Sequence, residues 1–334
     1  MNKIAVQTEN GLLEKFMSSG AHQKLFAFAS LIVLLVVFSL ASPNFLQTAN
    51  MITILQATSV NGVLAIAATL VIIAGGIDLS VGTLMTFCAV IAGVLLTNSG
   101  LPIYIGVPGA LLTGILCGAL TGFMIAKMDI PPFIATLGMM LVFKGLSLVI
   151  SGARPIYFND TPGFDEIARG SLIGSVIPSL PIPNGVLILF LVAIGTGFIL
   201  SRTVLGRFTF ALGSNEEALR LSGVNVDRWK IAVYAFAGGI CAVAGLLLAS
   251  RINSAQPAIG QGYELDAIAA VVIGGTSLKG GQGTMLGTII GALIISVVAN
   301  GLRILSVPQE WQIVVTGSII ILAVYIDILR RRND

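Results

Sequence analysis

The chain has 334 residues, 56% of them hydrophobic and 10% charged, with 18 Lys and Arg against 15 Asp and Glu and a net charge of +3. Soluble domains carry roughly 25% charged residues, so this composition and a mean hydropathy of +0.98 exclude a soluble globular fold. No basic patch with interleaved aromatics offers itself to a nucleic acid, and one histidine with three scattered cysteines supplies neither a metal site nor a Ser-His-Asp triad.

The polar stretch to Lys24 reads as a cytoplasmic N-terminal segment (1–24) rather than a cleavable signal. No ionisable side chain follows from Leu25 to Ile77, nor from Leu79 to Ala126. Each run is too long for one span of about 20 residues and long enough for two. Apolar segments bounded by charge or turn residues place spans near 25–41, 51–74, 79–97, 103–126, 133–151, 185–201, 231–249, 262–278, 284–302 and 311–328. The fold class is therefore all-α, a polytopic transmembrane bundle of about ten helices forming a single domain over 1–334. Cys88, Cys117 and Cys241 fall inside apolar stretches and read as small hydrophobes.

Basic residues set the orientation. With the N-terminus inside, the inner side holds Lys3, Lys15, Lys24, Lys127, Arg202, Arg207, Arg220, Arg228, Lys230, Lys279 and Arg330 to Arg332. The outer side holds only Arg154, Arg169, Arg251 and Arg303. Both termini and the 202–230 loop are thus expected in the cytoplasm, with 152–184 outside.

Two spans carry exceptions. The fifth contains Lys144 near its centre, which costs about 2.5–3.5 kcal/mol on an insertion scale, while each of its Leu, Ile, Val and Phe residues returns about 0.3–0.6. Such a lysine either snorkels or faces the bundle interior, a water path or a partner carboxylate. The eighth is free of charge only over Ala267 to Leu278, with Asp266 just ahead, and is expected to be short or broken. Transporters build their pathways at such segments.

Gly75-Gly76-Ile77-Asp78-Leu79-Ser80-Val81-Gly82 interrupts the second charge-free run. Paired glycines permit non-helical backbone, and Asp78 can cap the helix beginning beside it. A capped break and a polar wall of a translocation route are compatible readings, since irregular backbone at membrane depth must face protein or a water-filled cavity. A second break, Gly274-Gly275-Thr276-Ser277-Leu278-Lys279-Gly280-Gly281-Gln282-Gly283-Thr284, resembles the first and hints at an internal duplication. No G-x-x-x-x-G-K-[ST] phosphate loop occurs. Candidate path or gate residues are Asp78, Ser80, Lys144, Asp266, Thr276, Ser277 and Lys279.

In the 202–230 loop, Ser214 to Gly223 reads as a short helix. Ser214 or Asn215 supplies the N-cap, Glu216 and Glu217 occupy the first turn, Arg220 sits near the end, and Gly223 is the stop. It either packs on its own protein or docks a cytoplasmic partner.

At these motifs the chain resembles the ribose-type permeases of bacterial carbohydrate ABC importers. The resemblance covers nearly the whole chain. It is carried by Ser42-Pro43-Asn44-Phe45, Gly75 to Gly82, Phe133 to Leu137, Leu205-Gly206-Arg207, Ala211 to Val224, Ser254 to Pro257, and Gly262 to Gly275 with Thr276-Ser277-Leu278. The ribose branch is favoured over galactose, xylose or autoinducer relatives. The resemblance implies a non-catalytic permease without cofactor or metal, in the bacterial inner membrane. It implies a second permease copy, a cytoplasmic ATP-binding subunit and an extracytoplasmic sugar-binding protein as partners. It also makes 214–223 the coupling helix, with Asn215, Glu216, Glu217, Leu219, Arg220, Leu221 and Gly223 at the ATPase contact. An ion- or proton-driven secondary carrier is the alternative, although few intramembrane ionisable residues are present to serve one.

Overall fold

A computed structural model describes residues 21–331; the expected cytoplasmic segment up to Gly20, with Lys3 and Lys15, and Arg332 lie outside the described residues. The described residues form twelve α-helices and one short β-ribbon. In chain order the first five helices are α1 (Ala21–Ala41), α2 (Thr48–Ile73), α3 (Val81–Gly93, prolonged by a π turn over Val94–Asn98), α4 (Ile103–Lys127) and α5 (Pro132–Ser151). Next come the strand β1 (Ile156–Tyr157), then α6 (Leu172–Val176), α7 (Asn184–Arg202) and α8 (Val204–Leu221). The chain ends with α9 (Val226–Ile252), β2 (Ser254–Ala255), α10 (Tyr263–Ile273), α11 (Met285–Ile304) and α12 (Gln309–Arg331).

Seven of these are long and apolar enough to cross a membrane: α2, α3 with its π turn, α4, α5, α7, α9 and α11. The apolar parts of α1 and α12 are shorter, Ala27–Ala41 and Gln309–Leu322. The eighth expected span, 262–278, is helical only over the 11 residues of α10. At 1.5 Å per residue that is about 16 Å, roughly half the ~30 Å hydrocarbon core.

Helix α9 lies at the centre, against α4, α2 and α3. Small residues permit this. Gly114, Gly118 and Gly122 recur every fourth position on one face of α4, and a Cβ on Gly118 would overlap the carbonyl oxygen of Tyr234 in α9. The opposite face of α4 presents Leu112, Leu116, Leu120 and Phe123 to the surroundings, as a lipid-facing helix requires. Between α2 and α11, Asn50 and Asn300 exchange amide hydrogen bonds at 3.0 and 2.9 Å. Further along, the Thr69 and Thr288 hydroxyls meet at 2.7 Å. In hydrocarbon such polar pairs fix helix register. The 152–184 segment is anchored at one end of the bundle. β1 pairs antiparallel with β2, and the Ser250 hydroxyl donates to the Asp165 carbonyl and accepts from the Ala168 amide.

Candidate functional site: two helix breaks meeting a surface helix

The first break follows α2. Gly75 adopts φ +83°, and its amide donates to the Ile72 carbonyl at 2.9 Å while Gly76 donates to Val71 at 3.0 Å. The left-handed residue lets the last carbonyls of the helix find donors. After α10 the same closure recurs 200 positions later: Gly275 at φ +86° donates to Val272, and Thr276 to Val271. Each turn is then locked by a polar side chain accepting from the residue two ahead. Asp78 Oδ1 accepts from the Ser80 amide at 2.7 Å and from its hydroxyl at 2.6 Å. Ser277 Oγ accepts from the Lys279 amide at 3.2 Å. Both breaks thus end their helices with the same left-handed glycine turn. One expectation is corrected: Asp78 does not cap the first-turn amides of α3. Ser80 occupies the N-cap position, and its side chain caps nothing; Asp78, two residues earlier, is too far ahead to reach past Ser80.

The two breaks touch. The Gly281 amide donates to the Ile73 carbonyl at 2.8 Å, pinning the second break to the end of α2. Gly213 of α8 is wedged at that bond. A Cβ on Gly280 would lie 2.9 Å from the Cα atoms of both Gly213 and Gly75. Only glycine lets three backbones approach so closely. Two hydroxyls here are buried and have no hydrogen-bond partner among the described residues, those of Tyr234 and Thr276. The Tyr234 hydroxyl stands 2.5 Å from where a Cβ on Gly76 would be.

Helix α8 joins this junction to the protein surface. Asn215 breaks it with φ −162° and ψ 96°, and Asn215 Oδ1 accepts from the Ala218 amide at 2.9 Å. Asn215 is therefore the N-cap of the expected short helix, and Gly223 at φ +83° follows its end. The 204–214 stretch, part of the expected 202–230 loop, is also helical, opened by Thr203, whose side chain accepts from the Gly206 amide. Glycines and β-branched residues weaken its intrinsic propensity, so packing supplies the helix.

The short helix is tied to its own protein. Glu216 Oε2 meets Lys230 Nζ at 2.7 Å, and Arg220 lies 3.4 Å from both Glu216 and Asp227. Asp227 in turn meets Lys127 at 2.7 Å. Glu216 and Arg220 thus join the helix to the base of α9, where Asp227 also meets Lys127 of α4. Exposed pairs of this kind each contribute about 0–1 kcal/mol, so their effect is orientation. Glu217 remains exposed, Leu219 is half-buried, and Leu221 is 83% exposed.

Lys144 and Asp266 lie apart from the junction. Lys144 Nζ donates to Gln261 Oε1 at 2.8 Å, so its partner is a neutral amide in another segment rather than a carboxylate. Asp266 is half-buried in the first turn of α10, whose far end carries the second break. Tyr234, Gly213 and Gln261 were not singled out from sequence. Tyr234 had a signal, as the one polar aromatic within the apolar length of α9; Gly213 and Gln261 had none.

An apolar bundle with two glycine-turned breaks, pinned to one another and to a helix at the surface, defines a helical membrane permease. The chain belongs to the family described as branched-chain amino acid transport system / permease component, whose model matches residues 50–324. It is 43% identical over 302 residues to the ribose import permease protein of Escherichia coli (strain K12), covering 89% of this chain and 91% of that one. The ribose import permease protein of Bacillus subtilis (strain 168) is 40% identical over 329 residues, 98% of both chains. The xylose transport system permease protein of Escherichia coli (strain K12) is 33% identical over 386 residues, 99% of this chain and 98% of that one. No solved structure matches the chain.

Proposed function

We propose that this chain is the membrane-spanning subunit of an ATP-driven importer in the bacterial inner membrane, moving ribose from an extracytoplasmic binding protein into the cytoplasm. The observation that carries this is identity of 40–43% to ribose import permeases over 89–98% of the chain. The family description mentions branched-chain amino acids, but the full-length relatives with ribose and xylose in their names favour a sugar.

Helices α1, α10 and α12 join the seven long helices in a ten-helix bundle, with both termini and the 202–230 coupling loop in the cytoplasm and 152–184 outside. The thirteen-to-four bias of Lys and Arg supports that orientation. Two copies form the channel. The capped helix from Asn215 to Gly223 is the ATPase contact, with Leu219 and Leu221 filling an apolar cleft on the partner and Glu217 at the rim. Asp78 and Ser80 on one break, and Thr276, Ser277 and Lys279 on the other, shape the gate, and Lys144 and Asp266 stand further along the route. ATP-dependent closure of the partner subunits biases a two-state bundle.

Uptake of labelled ribose into proteoliposomes, with and without the ATP-binding subunit, tests the proposal. Uptake requiring both that subunit and ATP is expected. Uptake that proceeds without ATP and collapses when an ion gradient is dissipated would make the chain a secondary carrier.

A further inference from the structure

An intramembrane lysine needs a partner, and the partner here is unusual. Lys144 in α5 reaches Gln261, in the turn just ahead of α10, and no acidic side chain lies within ion-pair distance of it among the described residues. The two line a small cleft together with Thr83, Thr86, Pro257, Ala258 and Gly260. The far wall is held firmly. A Cβ on Gly82 would meet the Gly260 carbonyl oxygen, and one on Gly260 would overlap both the Gly82 carbonyl oxygen and Thr86 Oγ1. The turn carrying Gln261 therefore rests directly on the backbone of α3.

Hydrogen-bond counting gives the cleft its character. Thr83 and Thr86 donate their protons to the Ser80 and Gly82 carbonyls, so each hydroxyl offers only lone pairs to the cleft. Lys144 has three protons and gives one to Gln261, and the Gln261 amide nitrogen makes no hydrogen bond within the described residues. Donors from Lys144 and Gln261 and acceptors from the two threonines line the same cleft, which matches hydroxyl groups, each of them both donor and acceptor. A carboxylate or phosphate would be served by Lys144 but repelled by the lone pairs of both threonines.

We propose that Lys144, Gln261, Thr83 and Thr86 form the point on the route where a neutral polyhydroxylated solute is held in transit, its hydroxyls replacing the Lys144–Gln261 bond. This rests on the sugar-importer reading, and it adds the contact residues. The cleft as it stands has room for about one water-sized group, about 10 Å³, which suits passing contact with a hydroxyl on a route more than storage of a whole solute. Gln261 precedes α10 and the second break follows it, so the short helix links the cleft to the glycine junction.

The test uses the assembled importer, with its binding protein and ATP-binding subunit, in proteoliposomes. Lys144→Met keeps the aliphatic stem and removes the donors. With the charged donors gone, ribose uptake should fall about tenfold or more, with Lys144→Arg retaining part of it. Labelling supplies a readout other than activity. Starting from a variant without native cysteines, Lys144→Cys and Gln261→Cys should react with a charged, water-borne thiol reagent, and ribose with binding protein and ATP should slow both reactions. Val149→Cys, on the exposed apolar face of α5, should stay unreactive. Uptake by Lys144→Met within twofold of the unmodified protein overturns the proposal. So does a Lys144→Cys as unreactive as Val149→Cys, and so does protection by ribonate but not by ribose, which would make the cleft an anion site. An unmodified importer that moves no ribose with ATP refutes the importer reading instead, while the labelling still reports on the cleft.

Discussion

Substituting Gly213 by alanine puts one methyl group where three backbones converge. Its Cβ would overlap the Ile73 carbonyl oxygen and the Gly281 amide nitrogen, the two ends of the 2.8 Å bond that pins the breaks together, and would lie 3.0 Å from the Ile73 carbonyl carbon. These are backbone atoms and cannot swing aside as the tip of a side chain does. Overpacking of this kind costs about 1–3 kcal/mol, and a lost backbone hydrogen bond about 0.5–1.5. Alanine's better helix propensity returns about 0.5–1 kcal/mol. The net is about 2 kcal/mol, or roughly a thirtyfold loss of the pinned arrangement at 1.4 kcal/mol per factor of ten. The exposed Leu221 lies eight residues on, beyond the Asn215 break, so binding of the ATPase should be untouched. ATP hydrolysis and ribose uptake measured together should therefore separate, with hydrolysis kept and uptake down by about tenfold or more. Gly138→Ala is the control, because nothing lies within 4 Å of its added Cβ. Uptake per ATP unchanged in Gly213→Ala would refute the idea that the junction carries motion.

Three further outcomes are expected. A cysteine at Asn159, in a variant lacking the native cysteines, should react with an impermeant thiol reagent on intact cells; reaction only after lysis would invert the orientation. Asp78→Asn keeps an acceptor for the Ser80 amide but loses the charge that strengthens both bonds, about 1–2 kcal/mol, so the protein should assemble while uptake falls severalfold, and normal kinetics would leave Asp78 no part in the gate. Leu221→Asp should abolish co-purification with the ATP-binding subunit while membrane insertion is retained; intact association together with intact sugar-stimulated hydrolysis would make 202–230 a plain connector.

Local features of the site were legible in the sequence, and its assembly was not. Paired glycines before a small polar residue announce a left-handed helix end, and both breaks close that way. The order Asn215, Glu216, Glu217, Arg220, Gly223 announces a capped helix, and the cap is Asn215. That α10 would be short was legible, but not for the reason read: Glu264 and Asp266 lie inside the helix, which Gly262 precedes and Gly274 and Gly275 cut off. The meeting of Gly75, Gly213 and Gly280 leaves no trace in any sequence window, because their neighbours are supplied by elements more than 60 residues apart. For the same reason the ion pairs of Glu216 and Arg220 with α9 could not be read from the sequence. Helical spacing says which side chains share a face; it does not say that Lys230 and Asp227 at the base of α9 will stand opposite that face.

The placement of the junction bears on why the second break follows so short a helix. A full span after Gly262 would have both ends fixed at the membrane boundaries, and its tilt would be resisted along ~30 Å of packing. Helix α10 is about half that length, with one end at the glycine junction and the other at the turn bearing Gln261. It meets α11 through glycine as well: a Cβ on Gly291 would overlap the Ala270 carbonyl oxygen, and one on Gly287 the Gly274 carbonyl oxygen. Smooth glycine contacts carry few interlocking side chains, so sliding along them disrupts little packing. At its Gln261 end, by contrast, a single side-chain hydrogen bond to Lys144 holds the turn to α5. A short rod borne on glycine contacts along α11 and at α3, with one side-chain tether to α5, is the arrangement in which a small push at Gly213 is felt at the cleft. Filling the bearing should then be worse than cutting the tether. Gly291→Ala, which sets a methyl against backbone, should slow uptake more than Gln261→Leu does, and the reverse order would mean that α10 does not move.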